Sequence, residues 1–284
     1  MTNSKKSLSN NHNALKSSLL SPAALTGLCS IIMAAIMAII YLSAAIIPLV
    51  LFIVISFIAP FFPRRGFFLP VISRGYTGKK MVAITFDDGP DPATTIPLLR
   101  LLAKYHIKAT FFVIGEKAIK YSQIIREIIK RGHDIGNHSY HHDPLLMLRS
   151  SKKLREEIEA AQTVLKKLSI IPYAFRPPAG ITNPKLGRIL SHLEMYCVTF
   201  SCRGFDGGNR DIKGLARKIL KKVKPDDIIV LHDVKPGKGK SVDQWLEQID
   251  LILSGLEQKN IQIVSLAELV GRPVMKFEHG DTVK

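Results

Sequence analysis

The chain has 284 residues, long enough for one large domain and an appendage, and a formal net charge of +17 from 40 Lys and Arg against 23 Asp and Glu. Its three cysteines, Cys29, Cys197 and Cys202, are too few and too irregularly spaced for a disulfide framework or a zinc ribbon, and read as buried thiols. The basic residues are scattered over helical stretches without aromatic interleaving, which argues against nucleic acid as a partner.

In chain order, residues 1–22 form a basic tail carrying Lys5, Lys6 and Lys16, and no Asp, Glu, Lys or Arg occurs from Ser17 to Pro63. That run exceeds the roughly 20 apolar residues of one bilayer crossing. A single straight helix of it would be about 70 Å long against a hydrocarbon core of about 30 Å. A transmembrane segment over 23–63 is therefore expected, as a hairpin of two helices, Ala23 to about Tyr41 and Ile47 to Phe62, turning at Ser43 to Pro48. One tilted crossing with an interfacial extension is the alternative. A cleaved signal peptide is disfavoured, since its apolar region would run only about 7 to 15 residues. Arg64, Arg65, Arg74, Lys79 and Lys80 follow the run, so both flanks are basic. This favours insertion in the inner cell membrane with the rest of the chain on the cytoplasmic face, a periplasmic or outer face staying open. Beyond position 63 stand 37 basic and 23 acidic residues, a balance of +14. Such a surface suits membrane lipid headgroups or an anionic glycan carrier.

After a linker over 64–80, short apolar runs alternate with amphipathic ones through residues 81–270. Met81 to Phe86, Ala109 to Ile114, Asp134 to Gly136, Ala174 to Arg176, Met195 to Phe200, Asp227 to Leu231 and Ile261 to Val264 read as buried strands. Thr94 to Tyr105, Ile119 to Arg131, Arg149 to Leu168, Asp211 to Lys222 and Val242 to Gln258 have helical spacing. This α/β alternation predicts a parallel sheet wrapped by helices. Chemistry-bearing residues at the ends of several strands favour a barrel over an open doubly wound sheet, and no Gly-rich phosphate loop follows the first strand. Residues 271–284 read as a frayed tail.

Four motifs carry the chemistry. Asp87 and Asp88 sit on a turn before Gly89 and Pro90, where a metal on one carboxylate would leave the other as a base. His138 and His142 stand four apart, a spacing that puts both imidazoles on one face of a helical turn. With one carboxylate they make a two-His, one-carboxylate set with open positions, suited to Zn2+ and acceptable to Co2+, Ni2+ or Mn2+. His141 points elsewhere. Arg176 precedes Pro177 and Pro178, and His232 ends the run Ile228 to Leu231 and reaches the rim of the sheet as a general-acid candidate. No Gly-x-Ser-x-Gly elbow argues for a serine route.

Thr85-Phe86-Asp87-Asp88-Gly89-Pro90, the His138 to His142 stretch, Arg176-Pro177-Pro178-Ala179-Gly180 and Val230-Leu231-His232-Asp233 occur in an order that resembles the NodB-homology polysaccharide deacetylases, carbohydrate esterase family four. The resemblance covers about Met81 to Val270. It implies a distorted (β/α) barrel and metal-dependent removal of N-acetyl groups from the amino sugars of an envelope or lipid-linked glycan. It also implies Asp88 as ligand, Asp87 as base oriented by Arg176, the Ala179 N–H as oxyanion donor, and His232 as acid paired with Asp206. Pro178, Ala179 and Val230 would be oxyanion- or substrate-binding residues, Pro178 stiffening the turn and Val230 lying in the acetyl pocket, while Asp233 is read as structural. The family's aromatic residues are replaced here by Ala179 and Gly207, and its leucine by Val230. Those departures keep a catalytically silent glycan-binding protein in view, and O-acetyl ester cleavage or deformylation of a lipid-linked amino sugar are further options. Oligomeric state is left open.

Overall fold

The computed structural model describes residues 21–278; Lys5, Lys6 and Lys16, most of the basic tail and the end of the chain from 279 lie outside them. The chain divides into two units, Met1–Leu69 and Pro70–Lys284.

In the first unit, Ser21 caps a helix over Pro22–Ile40 by accepting from Ala24 N–H, and Pro22 occupies the first turn where no N–H is needed. A 3-10 turn over Leu42–Ala45 reverses the chain into a second helix, Ile46–Ile58, extended by a 3-10 turn over Ala59–Phe61. The two helices pack together: a Cβ on Gly27 would lie 3.1 Å from the Phe52 ring, so a small residue is required there. Pro22–Ile40 and Leu42–Phe61 are long and apolar enough to cross a membrane, by length and composition. Among the described residues Cys29 is exposed on the first of them, against the expectation of a buried thiol, whereas Cys197 and Cys202 are buried.

The second unit is a curled parallel half-barrel. Its strands are β1 (Val71–Ile72), β2 (Met81–Asp87), β3 (Thr110–Val113), β4 (Asp134–Asn137), β5 (Ile170–Pro172), β6 (Ala174–Phe175), β7 (Tyr196–Val198), β8 (Cys202–Arg203), β9 (Ile228–His232), β10 (Gln262–Val264) and β11 (Met275–Phe277). The sheet order is β1-β7-β6-β4-β3-β2-β9-β8, with β10 joining β2 beside Met81 to Ala83, and every named pairing in it is parallel. Strand β2 is buried along its whole length, as a parallel strand covered on both faces must be. Val82, Ile84 and Phe86 join the outer core with Leu98, Leu102, Ile125, Ile219, Trp245 and Ile249 of the surrounding helices. Met81 and Ala83 face the smaller inner core with Phe112, Val198 and Ile228. The strand period of two therefore carries Thr85 and Asp87 to the inner face, and the same alternation in β9 takes Val230 and His232 there while Ile229 and Leu231 face out.

Four expectations need correction. Met275–Phe277 pairs antiparallel with β5, so the described part of the expected tail contributes a strand. Val71–Ile72 pairs with β7, so the expected linker contributes a strand. The expected helix over Ile119 to Arg131 is two helices, Gly115–Lys120 and Ser122–Lys130, broken at Tyr121 (φ −119°, ψ 43°). The helix expected from Asp211 starts at Leu215, because Gly214 is left-handed (φ 61°) and Lys213 N–H bonds the Asp211 side chain in a turn.

Candidate active site

Strand register assembles the site. Asp87 is the partner of both Phe112 and His232, and Asn137 pairs with both Val113 and Phe175, so the residues that follow β2, β4, β6 and β9 emerge along one rim.

Arg176 lies just past β6 and is fully buried. One guanidinium nitrogen donates to Asp87 Oδ1 at 2.6 Å and to Thr85 Oγ1 at 2.7 Å; the other donates to the Thr199 carbonyl at 3.0 Å. Its Cζ stands 3.9 Å from the Phe112 ring centroid. A surface ion pair is thereby excluded: a charge this deep requires a partner, and Asp87 is that partner.

The histidine pair meets without a helix. Residues 138–142 form a loop in which Ser139 (φ 65°) and His142 (φ 58°) are left-handed. Asn137 Oδ1 accepts from Ser139 N–H and Ser139 Oγ from His142 N–H, which fixes the loop. The expected helical turn is absent because these side chains satisfy the backbone instead, yet the two imidazole centroids lie 4.8 Å apart. His141 turns away and pairs with Glu157 at 2.8 Å.

Asp88, His138 and His142 each present an atom within 4.8 Å of the others. Asp88 Oδ1 lies 3.3 Å from His138 Nε2 and 3.1 Å from His142 Nε2. His138 Nδ1 sits 2.7 Å from the Arg176 carbonyl oxygen, which can only accept, so this partner assigns the proton to Nδ1 and a lone pair to Nε2. Burial and His138 push the His142 pKa down, against the pull of Asp88, which favours its neutral form. Burial opposes ionisation of Asp88, but His138, His142 and His232 outweigh it and hold the carboxylate well below its usual range. Asp88 Oδ1 is buried without a hydrogen-bond donor. Two imidazole lone pairs and a carboxylate oxygen converging this closely repel one another unless a cation lies between them, so the set fits a divalent metal.

His232 Nδ1 lies 2.9 Å from Asp206 Oδ2. Burial disfavours its imidazolium, but the Asp206 hydrogen bond and charge raise its pKa to about 9. The segment carrying Asp206 is anchored by Asn209, which donates to the carbonyls of His232 and Val234. Ala179 is exposed on a 3-10 turn over Pro178–Gly180, in a left-handed conformation (φ 57°). Pro178 itself is buried, while Ala179 and Val230 border the cleft.

Asp233 is fully buried, accepts from the hydroxyls of Thr94 and Thr95, and stands 2.6 Å from where a Cβ on Gly89 would be. It braces the turn that presents Asp87 and Asp88, whose backbone is also held by Lys117 Nζ on the Asp88 carbonyl. Burial raises the Asp233 pKa to about 7, the threonine hydroxyls opposing. The residues that sequence reasoning missed are the braces Thr85, Asn137 and Lys117 and the cleft walls Phe200, Arg203, Phe205 and Arg210. The whole cleft has a volume of about 520 Å3.

A family model described as polysaccharide deacetylase matches residues 74–198. The chain is 32% identical over 195 residues to a peptidoglycan-N-acetylglucosamine deacetylase of Bacillus cereus, covering 68% of this chain and 89% of that protein. It is 31% identical over 192 residues to the peptidoglycan-N-acetylmuramic acid deacetylase PdaC of Bacillus subtilis, covering 67% of this chain but only 39% of that longer protein. Among solved structures, a peptidoglycan N-acetylglucosamine deacetylase in complex with 4-naphthalen-1-yl-N-oxidanyl-benzamide is similar with a TM-score of 0.66 at 28% identity, over 72% of this chain and 94% of that one. Fold, rim geometry and relatives agree, and the chain belongs to the polysaccharide deacetylase family.

Proposed function

We propose that this protein is a membrane-anchored, metal-dependent hydrolase that removes N-acetyl groups from the amino sugars of an envelope or lipid-linked glycan. The observation that carries the reading is the convergence of Asp88 Oδ1, His138 Nε2 and His142 Nε2 beside a separate carboxylate, Asp87, clamped by buried Arg176. Relatives described as deacetylases of peptidoglycan amino sugars support the substrate class.

Asp88, His138 and His142 would hold the ion, Zn2+ first and Co2+, Ni2+ or Mn2+ as substitutes; when bound, it supplies Lewis acidity to a carbonyl and lowers the pKa of water. Asp87 accepts the proton of the attacking water, with Arg176 fixing which carboxylate oxygen is presented. The Ala179 N–H donates to the developing oxyanion. His232, kept protonated by Asp206, gives its proton to the departing amine. Because base, oxyanion donor and acid are separate groups, no covalent intermediate is required. The two apolar helices would form the anchor, and basic residues on both flanks favour a cytoplasmic catalytic unit.

Replacement of Asp88 or His138 by Ala is expected to remove bound metal and to lower acetate release from N-acetylglucosamine oligomers by on the order of 100-fold or more. Metal analysis alongside an acetate assay checks this, and undiminished release would refute the ligand assignment.

A further inference from the structure

The helix Leu215–Lys222 is divided lengthwise by polarity. Leu215, Ala216 and Ile219 enter the outer core, while Arg217, Lys218, Lys221 and Lys222 recur at helical spacing on the opposite face and Lys224 follows just past the end. The acidic groups nearest in sequence are already committed. Asp211 pairs with Lys218 at 3.5 Å, Asp226 accepts from Thr77 and Gly78, and Asp227 is held by Arg74 and the Lys224 N–H. Arg217, Lys221 and Lys224 are exposed and have no ion-pair partner among the described residues, so their charge is left uncompensated.

Lys222 joins this face to the cleft. Its Nζ stands 4.4 Å from the ring centroid of Phe205, a residue that lines the cleft and is 60% exposed. Arg203 Cζ lies 4.2 Å from the same ring, so that arginine supports Phe205 and is not counted with the uncompensated charge. Phe205 has a left-handed backbone (φ 56°), which a bulky residue adopts only where its surroundings impose it. A large apolar ring is thereby held out at the cleft rim, beside a cationic helix face. Cations next to an exposed aromatic ring suit an anionic bilayer: charge draws the surface to the headgroups, and the ring enters the boundary with the acyl chains. Pro22–Ile40 and Leu42–Phe61 of the same chain are long and apolar enough to cross a membrane, which brings such a surface within reach.

We propose that the basic face of Leu215–Lys222, with Phe205, docks on the anionic headgroup surface of the membrane and so sets the cleft rim in the layer where a lipid-linked glycan is presented. The proposal rests on the anchored reading only for keeping the chain at a bilayer. In the test, full-length protein carrying Phe205→Trp is reconstituted in nanodiscs of phosphatidylcholine, with or without phosphatidylglycerol, and its emission is quenched by lipid bearing a nitroxide on the headgroup. Trp245 is fully buried, so the parent protein supplies the background. Quenching is expected to be at least about twofold stronger in the anionic discs and to fall to the neutral level in about 0.5 M salt. Arg217→Glu combined with Lys221→Glu should remove most of that difference, since each cation at such a surface is worth about fivefold in partitioning. Both side chains are exposed, so the double variant should unfold at the parental temperature. In the unaltered protein, amide hydrogen exchange over residues 215–224 should slow in the anionic discs alone, which keeps the test independent of the replaced ring. Equal quenching or equal exchange in the two discs, or a difference unmoved by charge reversal, overturns the proposal. A chain that needs detergent for release yet shows no lipid-dependent quenching keeps its anchor and loses this docking face. Quenching that returns when anionic vesicles are added to a chain already released by carbonate upholds the face and refutes the anchor instead.

Discussion

At the scale of single residues, the Asp206–His232 pair sets a measurable pH limit. His232 has a folded-state pKa of about 9 against an ordinary 6.5, so its acid form is populated below about pH 9 and lost above it. The sign for stability is the same: the pair's contribution is fully present below 6.5 and disappears as pH rises through about 9. Asp206→Asn removes the group that raises the pKa and leaves the burial that lowers it. The alkaline limb of kcat/KM should then move from about 9 to 6.5 or below, read from a pH–rate profile; an unmoved limb would show that His232 is not the titrating acid. Asp87, Asp88, His138, His142, Arg176 and His232 were legible in the sequence because each lies in a short motif of fixed spacing. Thr85 and the Thr199 carbonyl were not, since they reach Arg176 from 91 and 23 residues away along the chain. Phe205 and Arg203 escaped notice for a related reason: their cleft position depends on a left-handed residue after β8, which local pattern does not reveal.

At the scale of elements, the turn after β2 is held from one side by Asp233. Gly89→Ala would push a methyl group to 2.6 Å from Asp233 Oδ2, and that carboxylate is pinned by two threonine hydroxyls and cannot retreat. Overpacking of this kind costs about 1 to 3 kcal/mol. A lowered midpoint in denaturant titration, accompanied by weaker metal retention, is the expected outcome; a variant as stable as the parent with full metal content would remove Asp233 from this role. The loop over 138–142 shows how a correct inference can rest on the wrong geometry, since helical spacing and a loop with two left-handed residues both bring His138 beside His142. The helix Pro184–His192 went unread although its signals are present: Asn183 caps it, Pro184 opens it, and Leu186, Ile189 and Leu190 are its buried face. The break at Tyr121 was not legible, because Ala118, Ile125 and Ile128 keep the spacing of one uninterrupted helix.

At the scale of the whole molecule, the parallel sheet followed from strand and helix alternation, and the run of uncharged residues from Ser17 to Pro63 contains two packed apolar helices. How far the sheet curls could not be read, because closure depends on which strands share an edge rather than on their number. Anchoring by those helices has a specific signature. A protein held only by its basic surface is released from membranes by about 1 M salt, where the screening length falls to about 3 Å. The full-length chain is expected to stay in the membrane fraction through that wash and through alkaline carbonate, and to require detergent; release by salt would make the association electrostatic. Metal content and acetate release, measured together on purified full-length Asp87→Asn protein and its parent, bear most directly on the division of labour between the two adjacent aspartates. The expected result is about one ion per chain in both proteins, with acetate release from N-acetylglucosamine oligomers lower in the variant by on the order of 100- to 10,000-fold; release at the parental rate, or loss of the ion with Asp88 intact, would contradict it.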